Sequence, residues 1–393
     1  MLFQALDNKK ECYAIYCDGN LYHYPNSLDL TETWEYTPHF KEEKIEYGQV
    51  WCGGRTLGET CPEHLKEQWE EVQYQAKAYL TSFMVSKVNL DDVCFYDLVP
   101  RRFLVDYCRI KSDITKHVFE NYKKPKNYDF FVELIKLTTK ISTQKLNVDL
   151  EKLNIGNMPA RNLKNKLSKI KPCINYNPWG SVTGRLTTKP NSFPILTLNK
   201  DFRNILKPNN DWFIELDYNA AELRTFLALQ GLEQPKEDIH QWIGENVFSG
   251  RLERPDVKKK VFAWLYNPKA SNKRLEQIFD KNKILKKYYY GGIIETPFGR
   301  KIEADEDKAL NYLIQSTTSD LFLRQAILID KMLEGRKSYV SYCIHDSLVL
   351  DFCDDDRDFL VEIIEKLSQT RLDTFKVNVS AGEDFGNMKK LEL

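Results

Sequence analysis

The chain has 393 residues, with 57 Lys plus Arg against 57 Asp plus Glu and a mean hydropathy of −0.52, enough for two or three domains with a sizeable core. No run of about 18 apolar residues is present to span a membrane, Met1 to Asn20 lacks the basic-then-apolar order of a signal peptide, and nine scattered cysteines suit free thiols in a reducing compartment. The neutral total is segregated, with 14 acidic and 6 basic side chains from Met1 to Gln75 and 17 basic and 7 acidic ones from Arg101 to Lys171, so it does not exclude a polyanionic partner.

The first sixty or so residues alternate apolar and polar side chains around turn signals. Glu11 to Cys17, Asp18-Gly19-Asn20 and Leu21 to Tyr24 read as a hairpin with an Asp-Gly turn. From His64 to about Ile170 the pattern becomes helical, with Leu80, Phe83, Met84 and Val88 at helical spacing and a second apolar run from Phe130 to Leu137. Asn147 to Ile170 continues as an amphipathic, Lys-rich segment, and the turn-rich stretch from Pro172 to Pro194 marks a boundary. Beyond Pro208 strands and helices alternate: a strand from Trp212 to Asp217, a helix from Ala220 to Gln230, and a helix from Arg254 to Tyr266 introduced by Pro255. Helices follow near Asn272 to Tyr288 and Asp305 to Leu333. Ser338 to Ile344 and Ser347 to Phe352 form a hairpin around His345-Asp346, and a last helix runs from about Asp356 to Leu372. Such material predicts helices on one side of a small antiparallel sheet.

Two strands thus deliver an Asp to an edge, Asp217 at the end of one and Asp346 at the turn of another. Two carboxylates on adjacent strand ends can hold two divalent cations about 3.5–4 Å apart, the arrangement for in-line phosphoryl or nucleotidyl transfer. Taken singly, a helix cap at Asp217 and a tight turn at Asp346 explain them as well or better. Arg254, Lys258, Phe262 and Tyr266 follow at steps of four, which places them on one slowly drifting helical stripe. Two cations followed by two aromatic rings suit a nucleoside triphosphate, and a solvated basic face is the alternative.

Asp217-Tyr-Asn-Ala-Ala-Glu-Leu-Arg224 resembles motif A of family A DNA polymerases, Arg254-x3-Lys258-x3-Phe262-x3-Tyr266 is similar to their motif B, and Ile344-His-Asp-Ser347 to their motif C. Thr183-Gly-Arg-Leu186 with Pro190-Asn191, Asp238-Ile-His240, Thr296-x2-Gly-Arg300, and Asn311-x3-Gln315 with Asp320 match further motifs in the family's order, from about Ser181 to Phe352. The resemblance implies an α+β right-hand architecture. A small β-rich N-terminal segment (1–62) would precede a helical basic thumb (63–180), a palm with an antiparallel sheet (181–235 and 300–393) and helical fingers (236–299).

It implies roles as well. Asp217, Asp346 and the backbone carbonyl of Tyr218 would bind two Mg²⁺, with Mn²⁺ as a substitute. Arg254, Lys258 and His240 would hold the triphosphate of a dNTP, Lys258 also serving as proton donor to pyrophosphate. Phe262 would pack on the deoxyribose, and Glu222, bonded to Tyr266, would exclude a ribose 2′-hydroxyl. Arg185, Asn311, Gln315 and His345 would reach minor-groove acceptors shared by all correct base pairs, with Thr183, Arg224 and Arg300 as further contacts to primer-template DNA. The basic helices between Arg101 and Lys171 would hold duplex phosphates, their alternative being a solvated face.

Three positions depart from the family pattern: Ser347 stands where motif C has Glu, Asn267 where motif B ends in Gly, and Ser316 where Gly follows Gln315. His-Asp-Ser also occurs in single-subunit RNA polymerases, so a ribonucleotide-using or ribonucleotide-tolerant enzyme is one alternative and a degenerate DNA-binding accessory another. No Asp-x-Glu begins a strand near the N-terminus, so proofreading is expected to be absent from this chain. A separate exonuclease or processivity protein would dock on the acidic segment from Met1 to Gln75. Cys52-x8-Cys61-x2-His64 lacks an evident fourth zinc ligand and reads as free thiols. The expected location is the cytoplasm of a bacterial or phage-infected cell.

Overall fold

The computed structural model describes residues 1–8, 12–23, 28–40, 44–90, 93–154, 156–267 and 270–392. Glu11 and Tyr24, at the ends of the expected N-terminal hairpin, lie outside them. Two compact units divide the chain, Met1–Lys136 and Leu137–Leu393.

In the first unit β1 (Phe3–Asp7), β2 (Cys12–Cys17) and β3 (Asn20–Tyr22) form an antiparallel sheet. The β2–β3 turn places Asp18 and Gly19 at φ 46° and 80°, the left-handed pair that an Asp-Gly hairpin turn supplies. Helices α1 (Lys66–Val85) and α2 (Arg101–Asn121) follow, and α3 (Tyr128–Thr143) begins in this unit. Phe103, Leu104, Cys108 and Ile114 of α2 share one core with Leu6, Ala14 and Tyr16 of the sheet. The expected divide at residue 62 therefore runs through a single core. A three-stranded sheet has an apolar face to bury, and α2 is what covers it.

The second unit holds α4 (Met158–Leu167), β4 (Trp212–Tyr218), α5 (Ala221–Gln230), α6 (Ile239–Asn246), α7 (Arg254–Tyr266), α8 (Lys281–Tyr288) and α9 (Glu306–Met332). It continues with β5 (Tyr339–Ile344), β6 (Ser347–Phe352), α10 (Leu360–Ser368), β7 (Val377–Gly382) and β8 (Lys389–Leu391). The five strands make one antiparallel sheet in the order β5-β6-β4-β7-β8, so β4 is central. Its side chains alternate between faces. Ile214, Leu216 and Tyr218 are buried, and the Tyr218 hydroxyl donates to the Leu367 carbonyl at 2.6 Å while its ring meets Phe322 of α9 edge-on. Phe213, Glu215 and Asp217 share the other face, where Phe213 packs on Tyr342 and Phe385.

Several elements differ from expectation. The single helix expected over 272–288 is two, Lys273–Glu276 and Lys281–Tyr288, because Asn272 and Asp280 each cap a new start and Phe279 turns into the core between them. Among the described residues of 147–170 only Met158–Leu167 is α-helical, while Asn147–Val148 pairs with Leu206–Lys207. The last helix begins at Leu360 after a 3₁₀ segment, Asp354–Phe359, and ends at Ser368. Strands β7 and β8 lie beyond every expected element. Among the described residues no helix is long and apolar enough to cross a membrane.

Candidate active site

The central strand and its hairpin neighbour build the site. Asp217 lies opposite Ser347 in the β4–β6 register, so Asp346, one residue earlier, sits at the same end of the sheet. On the other side Asp217 faces Asn378 of β7, whose amide donates to its carboxylate at 3.4 Å. Both aspartates are flanked by strained backbone: His345 at the hairpin tip has φ 54° and Ala220, just past β4, has φ 51°, a region non-glycine residues rarely occupy. Burial, then the charge of Asp346, push the Asp217 carboxyl up to about 7. Burial also raises Asp346, opposed by its own backbone N–H and by Arg185, His345 and Lys258.

Two half-buried carboxylates, both raised by burial and one also by the charge of the other, are a demand for positive charge. Lys258 acts on both aspartates, and Arg185 acts on Asp346 and on Glu222. Hard oxygen donors of this kind fit Mg²⁺ or Mn²⁺. Among the described residues no group of three or more His, Cys, Asp or Glu side chains is arranged to hold a metal. Ligands beyond the pair would be the Tyr218 carbonyl, water and substrate oxygens, which is how Mg²⁺ is commonly held.

Helix α7 presents the expected stripe. Arg254 and Lys258 are exposed and Phe262 and Tyr266 half-buried, while Val257, Val261, Trp264 and Leu265 fill the core behind them. Phe262 and Tyr266 stack with centroids 5.6 Å apart and planes 13° off parallel, and the Lys258 ammonium lies 5.6 Å from the Phe262 centroid. His240, on α6, approaches the same ring at 5.8 Å. Its imidazole is buried, burial lowers its pKa to about 4, and its Nδ1 has no hydrogen-bond partner. Asp238 ties these pieces together by accepting from the His240 and Gln241 backbone, from Asn219 at 2.8 Å and from Arg254 at 2.7 Å.

Other expected site residues are placed differently. Glu222 pairs with Arg185 instead of Tyr266, whose ring stacks on Phe262. Arg224 is fully buried, so it has no surface to offer DNA. Its guanidinium donates to the carbonyls of Asn219, Pro235 and Glu237 and to the Asn219 side chain, which braces the turn after β4. Arg300 is likewise a brace: it forks onto Asp320 at 2.6 and 3.0 Å and fills the space beside Gly184, where a Cβ would lie 2.5 Å from its Nη2. Thr183 is buried in that loop, and Ser319 fixes it through the Gly184 carbonyl. Arg185, on the same loop, is left half-exposed toward Glu222. Asn311 and Gln315 bond to each other at 2.7 Å, and His345 is exposed. The Tyr218 side chain is buried, which leaves its carbonyl as the group able to serve a metal.

The basic segment is less basic than its count. Lys111 is buried, and Lys124, Lys136, Lys140, Lys152 and Lys164 are paired with Glu46, Glu133, Asp330, Asp384 and Glu151. Lys166, Lys169 and Lys189 instead line a groove of about 600 Å³ together with Asn162, Asn165 and Asn191. Cys52 and Cys61 are buried free thiols.

No protein-family model matches the sequence. The fold is of the mixed helix-and-sheet class, and a solved structure similar to it is a polymerase domain. That structure is the POL domain of Pol1 from M. smegmatis in complex with DNA primer-template and dNTP. The TM-score is 0.57 at 14% identity, over 72% of this chain and 76% of that one. At this identity the likeness is one of fold, and chemistry has to be argued from the residues above.

Proposed function

We propose that this chain is a template-directed DNA polymerase that joins deoxynucleotides to a primer 3′-hydroxyl and releases pyrophosphate. The observation that supports it most is the meeting of Asp217 and Asp346 at neighbouring strand ends, with Lys258 acting on both, in a chain with a polymerase-domain fold. Asp217, Asp346 and the Tyr218 carbonyl would hold two Mg²⁺, for which Mn²⁺ can substitute; when bound, these neutralise charge on the transferring phosphate and acidify the 3′-hydroxyl. Arg254 and Lys258 offer their cations to the triphosphate, and Lys258 donates a proton to the departing pyrophosphate. The buried, neutral His240 has an unsatisfied ring nitrogen with which to join them once the site opens to substrate. The Phe262–Tyr266 stack forms the platform for sugar and base.

Glu222, held by Arg185, narrows the sugar site against a 2′-hydroxyl. Arg185, Asn311, Gln315 and His345 contact the primer-template, and the Lys166–Lys169–Lys189 groove takes backbone phosphates. Proofreading is proposed to be absent from the chain, with any exonuclease or processivity function supplied by a separate protein. Primer extension on a recessed template, with each dNTP or rNTP and with or without Mg²⁺, tests this. Templated, Mg²⁺-dependent addition of dNTP is expected. Preference for rNTP would move the assignment to an RNA-synthesising enzyme, and tight DNA binding without extension would move it to an accessory protein.

A further inference from the structure

The face of β4 that carries Asp217 carries a second acid two residues earlier. Glu215 is half-buried on that face, and Asp217 experiences its negative charge. A Glu in the middle of a central strand of a buried sheet has to be held by something. Here the Ser347 hydroxyl, buried in the hairpin strand and adjacent in sequence to Asp346, donates to Glu215 Oε1 at 2.9 Å. In the register Ser347 is opposite Asp217 and Glu215 is opposite Val349, so this bond runs diagonally across the two strands and draws the carboxylate toward the aspartate pair. Residue 347 has itself only a hydroxymethyl group to offer a cation. Its neighbour across the ladder supplies the carboxylate.

We propose that Glu215 is a positioning residue of the metal site, acting on the cation nearest Asp217 through that cation's water shell, with Ser347 fixing its side-chain direction. This rests on the metal-dependent polymerase assignment above. A role through water suits Mg²⁺, which keeps several of its waters when bound. Partners that orient such a shell change metal affinity or activity by about 10–100-fold when removed.

The test compares wild type with Glu215→Gln, Ser347→Ala, Glu215→Ala and the double variant Glu215→Ala/Ser347→Glu. Two readouts are taken: Mn²⁺ binding to the protein alone, followed by electron paramagnetic resonance, and primer extension as a function of Mg²⁺ concentration. Glu215→Gln should weaken Mn²⁺ binding and raise the half-saturating Mg²⁺ by about 10-fold or more, with the KM for dNTP moved far less. Ser347→Ala should show a smaller shift of the same kind. In the double variant, the carboxylate returned from residue 347 should restore Mg²⁺ dependence to within about threefold of wild type. A Glu215→Gln protein whose Mn²⁺ and Mg²⁺ titrations overlay those of wild type overturns the proposal, as does a double variant no better than Glu215→Ala. Failure of the polymerase assignment is a separate result: wild type that binds Mn²⁺ but extends no primer removes that assignment, and the Mn²⁺ shift still decides the role of Glu215.

Discussion

Replacing Asp217 with Asn tests the electrostatics of the strand-end pair with no assumption about substrate. Burial and Asp346 raise the Asp217 carboxyl from 3.8 to about 7, so its anion is disfavoured in the folded protein. Because the folded pKa lies above the unfolded one, the group favours folding at low pH and this contribution is lost as pH rises from about 4 to about 7. At about 1.4 kcal/mol per pH unit, ionising it costs at most ~4 kcal/mol, and solvent reaching the half-buried carboxylate lowers that to about 2–3 kcal/mol. Asn removes the charge and still faces Asn378. In EDTA at pH 8 the variant should therefore melt above wild type by about 4–12 °C, at roughly 2–4 °C per kcal/mol for a unit of this size. At pH 4 the two should melt together. Added Mg²⁺ should raise wild type and leave the variant nearly unmoved. Calorimetry across pH 4–8, with EDTA or Mg²⁺, reads all three. Equal melting at pH 8 in EDTA would refute the proposed repulsion.

Three further outcomes are expected. Glu222→Ala should raise rNTP use relative to dNTP by at least about 10-fold; an unchanged ratio in single-nucleotide incorporation removes Glu222 from sugar selection. Arg224→Ala, which removes four hydrogen bonds, three of them buried, should cost about 3 kcal/mol or more. Urea unfolding measures it, and DNA affinity per folded molecule should be unaltered. Lys166→Ala/Lys169→Ala should weaken DNA binding for every sequence and reduce the slope of log affinity against log salt by about 2; anisotropy titrations giving wild-type slopes would exclude the groove as a phosphate track.

What could be read in advance followed from periodicity. The two-residue alternation of β4, the four-residue stripe of α7 and the hairpin around His345-Asp346 each encode one face, so strands, helix and the convergence of Asp217 with Asp346 were legible. Strands β7 and β8 were not, because Val377 to Gly382 mixes polar and small residues and takes its strand state from pairing with β4. Arg224 was misassigned for a related reason. Helix α5 is buried on nearly all sides, so no polar stripe says which way the guanidinium points. The Arg185–Glu222 and Ser347–Glu215 pairs join residues 37 and 132 positions apart and leave no local trace. Asn378 had no signal at all. The charge count of the basic segment overstated its surface, since pairing with Asp330 and Asp384 is a tertiary fact.

Asp217 and Asp346 are proposed to support nucleotide addition jointly. Single-turnover incorporation of one templated dNTP into a saturated primer-template, with Mg²⁺, measures it most directly. Wild type should add the matching nucleotide, and Asp346→Asn, folded and still binding DNA, should be slower by about 10³-fold or more, on the order of 4 kcal/mol of transition-state stabilisation. Incorporation by Asp346→Asn at the wild-type rate would remove Asp346 from catalysis.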